Sequence, residues 1–153
     1  MDIPNTVTNI GIDAFRECYV LTSVNIPNTV TTIGSSAFRN CAALTSITLP
    51  NSITSISNTL FYACSSLTSL VIPNSVTTIG SAAFFGCSNL SSVTIPNSVT
   101  LIGSQSFVNC SSLTSLTIPN SVTTIENQAF RYCTGLTSVT VHWTTPLLIN
   151  ADV

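Results

Sequence analysis

Between residues 21 and 43 the apolar side chains fall at Leu21, Val24, Ile26, Val30, Ile33, Ala37, Phe38 and Cys41. Ser, Thr and Asn fill most of the places between them. The same spelling returns every 23 residues: Leu21, Leu44, Leu67, Leu90, Leu113 and Leu136 form one column, and Phe15, Phe38, Phe61, Phe84, Phe107 and Phe130 another. A fixed leucine-bearing period of this length predicts a solenoid with one coil per repeat. A single coil cannot bury its apolar face alone, and stacked neighbours bury it for each other.

The pattern inside one repeat predicts its elements. "LSSVTI" alternates, with Val93 inward, Thr94 outward and Ile95 inward, which reads as a short strand. Pro96 ends it, because proline cannot donate to a ladder. Strands from successive coils are expected to stack in parallel as one continuous sheet. Ile33, Ala37, Phe38, Cys41 and Leu44 recur at helical spacings and predict a short helical or 3₁₀ turn, with Ser35, Asn58, Ser81, Ser104 and Asn127 at its N-cap position. Leu21, Ile26, Ile33, Phe38 and their equivalents are the expected core.

The chain then divides as a single solenoid over 1–153: a partial repeat 1–20, full repeats 21–43, 44–66, 67–89, 90–112 and 113–135, and an irregular repeat 136–153. In the last, "HWTTPLLINADV" replaces the usual Pro-Asn-Ser-Val. One extra residue would put Ile149 in the isoleucine column and the next phenylalanine just past the last residue. A truncated repeat is the expectation.

Composition narrows the function. Only 5% of residues are charged against 44% hydrophobic, and no charged residue lies between Arg39 and Glu126. Such a surface cannot neutralise phosphates, so nucleic acid is not an expected partner. Membrane insertion is not expected either, since the longest unbroken apolar run is Leu60 to Cys64 and a bilayer needs about 20 residues. Met1-Asp2-Ile3-Pro4 does not read as a signal peptide, which leaves a cytosolic chain or a fragment whose leader lies elsewhere.

Six cysteines, Cys18, Cys41, Cys64, Cys87, Cys110 and Cys133, invite a metal or disulfide reading. A straight column with no CxxC pair never converges four ligands, so no metal is expected. Disulfides remain an alternative, because stacked coils bring equivalent Cα atoms to about 5 Å. Their place three residues before the leucine column favours buried thiols packed as small apolar groups. His142, beside Trp143, could serve a Ser138 nucleophile with Asp152 behind it, but nothing activates such a set and no catalytic residue is expected. Asn28, Asn51, Asn74, Asn97 and Asn120 are either a turn column after the strand or a ligand ladder, with the turn favoured. Gly34, Gly80 and Gly103 share their column with Ser57 and Glu126, so an obligatory positive φ is not expected there.

The joint columns of "LxxVxIPxSVTxIGxxAFxxC" resemble the BspA-like, or treponemal-type, leucine-rich repeat over essentially the whole chain. The resemblance implies a right-handed arc or horseshoe with a parallel sheet on its concave face and short turns on its convex face. It also implies a surface or secreted protein that adheres to host proteins or other cells. No catalytic residue and no cofactor come with it.

What remains as a candidate binding face is the outward side of the strands: Ser23, Asn25, Ser46, Thr48, Ser69, Val71, Ser92, Thr94, Ser115, Thr117, Ser138 and Thr140. The expected function is a non-enzymatic protein-binding or adhesion module using this neutral face. The alternatives are a self-assembling repeat protein that stacks end to end as a homo-oligomer and, more remotely, an ice-binding Thr array. Ser and Thr that merely solvate a sheet would look the same.

Overall fold

The computed structural model describes residues 1–143. Each coil contributes two short strands. In chain order these are β1 (Asn9–Ile10), β2 (Ser23–Asn25), β3 (Thr32–Ile33), β4 (Ser46–Thr48), β5 (Ser55–Ile56), β6 (Ser69–Val71), β7 (Thr78–Ile79), β8 (Ser92–Thr94), β9 (Leu101–Ile102), β10 (Ser115–Ile118), β11 (Thr124–Ile125) and β12 (Ser138–Val141). Every pairing is parallel, and partners such as Ser23 with Ser46 or Ile79 with Ile102 are 23 residues apart. The solenoid expected from the period is therefore the fold.

Two ladders run along it, and neither is the single continuous sheet expected. The first is divided into the pairs β2–β4, β6–β8 and β10–β12. The second, missed from sequence because Ile33 was assigned to a helical turn, joins β5, β7, β9 and β11, with β1–β3 separate. The bonding pattern changes at the gap between β3 and β5. Gly34, Gly80 and Gly103 donate their backbone N–H to Ile10, Ile56 and Ile79 of the preceding coil at 2.8 Å. Coils approach so closely there that a Cβ on Gly34 would stand 2.5 Å from the Ile12 nitrogen. Ser57 does carry a Cβ, and its hydroxyl rather than its amide reaches the Ile33 carbonyl. Glu126 carries a Cβ in this column and still donates its N–H to the Ile102 carbonyl at 2.9 Å, so glycine eases the close approach without being required for it, and none of these three glycines has a positive φ, as expected.

The third side of each coil departs from expectation. Among the described residues there is no helix and no 3₁₀ segment. Asp13, Ser36, Thr59, Ala82, Gln105 and Gln128 are all left-handed, with φ of 52° to 59°, and Glu17, Asn40, Ala63, Gly86, Asn109 and Tyr132 repeat this four residues later. A helix cannot pass through two such residues. Instead the N–H groups of Asp13, Phe15 and Glu17 donate to Ser35, Ala37 and Arg39 of the next coil at 2.8 to 3.1 Å. Intervening amides close tight turns within the coil, such as Arg16 to Asp13 and Cys18 to Phe15. With no helix present the expected N-caps cap nothing; Asn58 Oδ1 instead accepts from the Ser81 amide of the next coil at 2.8 Å.

Between the three sides lies the core. Leu44, Ile56, Leu67, Phe61 and Phe84 are completely buried, as are most of their equivalents in other coils. The phenylalanine rings form one stack from Phe15 to Phe130 with centroid separations of 5.0 to 5.9 Å. The later part of the irregular last repeat, including Pro146, Ile149 and Asp152, lies outside the described residues.

Candidate binding face

Every residue of the candidate face is exposed, and the inward residue between each outward pair is buried in strands β2, β4, β6 and β8. Strand pairing brings the columns into line: Ser23 beside Ser46, Ser69 beside Ser92, Ser115 beside Ser138, and Asn25, Val71 and Thr117 beside Thr48, Thr94 and Thr140. Neighbours in a column stand about 4.8 Å apart, the strand spacing. No charged residue interrupts the face.

Many hydroxyls elsewhere hold coils together, although those of Ser75, Ser106 and Ser121 are buried without a partner. Thr31, Thr77, Thr100 and Thr123 each donate Oγ1–H to a threonine carbonyl one coil earlier at 3.2 to 3.3 Å. Thr45, Ser91 and Thr137 make the same contact on the approach to the other strands. The contrast separates structural Ser and Thr columns from the outward face, and sequence reasoning did not draw that distinction.

Pro-Asn-Ser-Val forms the expected turn, closed by the valine amide on the proline carbonyl, as in Val76 to Pro73 at 3.0 Å and Val99 to Pro96 at 3.1 Å. Asn28 Oδ1 accepts from the Asn51 amide at 2.9 Å, so part of this column also links coils.

The cysteines line the core. Cys41, Cys64, Cys87 and Cys110 are fully buried, with Cys18 and Cys133 half-buried at the ends. Each Sγ from Cys41 onward donates to a phenylalanine carbonyl of the preceding coil, as Cys64 does to Phe38 at 3.1 Å. Burial pushes the thiols up, to about 11 at Cys41 and Cys133 and about 12 at Cys64, because a thiolate loses its hydration there. All six are free thiols. His142 is exposed, and its backbone amide bonds the Ile118 carbonyl. Asp152, its supposed partner, lies outside the described residues. Among those residues no three His, Cys, Asp or Glu side chains gather as metal ligands.

A parallel solenoid with one leucine-headed coil per 23 residues is a leucine-rich repeat protein, a class built to present a long surface to other proteins. The chain belongs to the BspA-type leucine-rich repeat region family, which matches residues 1–111 and 54–146 in six copies. No curated protein sequence matches it. Among solved structures, a leucine-rich repeat protein of Treponema pallidum is 31% identical with a TM-score of 0.85, over 93% of this chain and 70% of that one. One from Eubacterium ventriosum is 32% identical with a TM-score of 0.84, over 98% and 40%. A leucine-rich cell surface protein of Faecalibacterium prausnitzii is 34% identical with a TM-score of 0.66, over 94% and 32%. The chain thus spans about a third of that last protein's length. No helix among the described residues is long and apolar enough to cross a membrane.

Proposed function

We propose that the chain is a non-catalytic binding module of a surface or secreted adhesin, contacting a protein ligand through Ser23, Asn25, Ser46, Thr48, Ser69, Val71, Ser92, Thr94, Ser115, Thr117, Ser138 and Thr140. The observation that carries this reading is the division of labour among hydroxyls: other Thr and Ser columns bond neighbouring coils, while these point outward in register. The cell-surface description of the Faecalibacterium relative supports the location. Neutral hydroxyls give weak contacts singly, so affinity accumulates from area and multivalency. Surface plasmon resonance against immobilised extracellular-matrix proteins tests it. The doubly charged variant Thr94→Lys/Thr117→Lys should lose at least tenfold in affinity, and unchanged binding would move the contact off this face.

A second reading is end-to-end association of copies. Ile3, Val7, Ile10 and Phe15 border an apolar cleft of about 290 Å³ at the first coil. Such head-to-tail contacts propagate rather than close. Light scattering over a concentration series distinguishes the two, since a strict 16.1 kDa monomer at high concentration excludes stacking.

A further inference from the structure

The outward face is not uniform. Its first ladder opens between β4 and β6, as it does again between β8 and β10, and only the first of these seams carries the concavity that follows. A concavity of about 370 Å³ sits on that seam, lined by residues of both strands including Ser46, Ser69, Leu70 and Val71. A second, of about 710 Å³, adjoins it and shares Thr48, Leu49 and Asn51. It reaches back to Asn25, Asn28 and Asn5. Together they make one furrow along the ends of the strands, and each volume is within the range of ligand clefts, roughly 300 to 1,000 Å³.

The furrow is also where the repeat departs from its own spelling. Val71 is 78% exposed in a column otherwise filled by Asn and Thr, and Asn25 is the one amide in that column. Leu49 holds a place that is isoleucine in most other coils. We infer that this furrow, at the seam between β4 and β6, is the specific part of the binding face and takes an uncharged peptide segment. The inference rests on the protein-binding reading above and narrows it.

The lining selects that occupant. The residues lining both concavities are uncharged, so an acidic or basic partner would lose hydration without gaining a counter-charge. Asn5, Asn25 and Asn51 add side-chain amides able to donate to and accept from a peptide unit, while the Asn28 Oδ1 already accepts from the Asn51 backbone. Val71, with Leu49 and Pro73 beside it, offers apolar contact for one small side chain. No aromatic ring lines either concavity, which disfavours a sugar that needs a flat ring to stack on.

The test is an NMR titration of the ¹⁵N-labelled full chain with three probes: an acetylated and amidated pentapeptide of valine and threonine, the same peptide carrying two glutamates, and maltohexaose. The neutral peptide should shift the amides of Asn25, Asn28, Thr48, Asn51, Ser69 and Val71, and the glutamate peptide should bind at least fivefold more weakly. Val71→Lys, an exposed substitution, should weaken the neutral peptide at least tenfold, while Thr134→Lys, exposed and outside the face, should not. Shifts from maltohexaose but not the peptide would overturn the proposal, as would no shifts at all or shifts spread evenly along the serine column. If the peptide fails while Thr94→Lys/Thr117→Lys still abolishes binding of matrix protein, only the furrow is wrong. If both fail, the protein-binding reading falls with it.

Discussion

Phe84 and Phe107 stack with centroids 5.0 Å apart and planes 14° from parallel, and both are completely buried. They belong to successive coils, so the pair ties those coils together through the middle of the molecule. Offset stacking at this distance adds roughly 0.5 to 1.5 kcal/mol to the area each ring buries.

Phe84→Ala should therefore destabilise the chain by about 3 to 5 kcal/mol, through a cavity flanked on both sides by rings that have lost a partner. Urea denaturation with circular dichroism measures it. A loss below about 1 kcal/mol would mean that neighbouring coils collapse into the gap.

The thiols predict a pH dependence. The folded values of Cys41, Cys133 and Cys64 lie above the ordinary thiol value of 9.0, at about 11 for the first two and about 12 for the third. Unfolding releases protons from these groups at alkaline pH, because the unfolded chain ionises first. The contribution is complete below about pH 9 and is lost as pH climbs toward 11 to 12. The midpoint of unfolding should fall over that window under reducing conditions, and a variant with all six replaced by alanine should fall less. Thiol titration should find few reactive groups in the native protein and six in denaturant; fewer than six there would reveal bridges.

Ala82 sits at φ 52°, a conformation costing a side-chain-bearing residue about 1 kcal/mol relative to glycine. Ala82→Gly should stabilise the chain by about 0.5 to 1 kcal/mol in spite of glycine's greater freedom when unfolded. Ala83→Gly, one residue on and fully buried, should destabilise it. If both variants lose stability, the left-handed column is not strained in solution.

That column marks the limit of what the sequence could say. The period, the buried leucine and phenylalanine columns and the inward cysteines follow from apolar spacing, which a stack of coils preserves directly. The turns do not. Asp13, Ser36, Thr59, Ala82, Gln105 and Gln128 have no shared preference for positive φ, and their conformation goes with N–H bonds to the next coil, which no local propensity encodes. Asn40, Gly86 and Asn109 in the companion column were a signal that could have been read against a helix. On the candidate face, alternation located the outward residues, but the division between β4 and β6 is invisible in a column that reads Ser in both coils.

The turns have one more consequence. Asp13, Phe15 and Glu17, then Ser36, Phe38 and Asn40, and so on to Gln105, Phe107 and Asn109, all send their N–H toward the following coil. Their peptide dipoles therefore point the same way and add along the stack, as they do in an α-helix. In strand ladders such dipoles largely cancel. A chain with almost no ionised side chains thus acquires an electrical direction along one edge, negative toward the carbonyls of Ile12, Ala14 and Arg16 and positive toward the amides of Gln128, Phe130 and Tyr132.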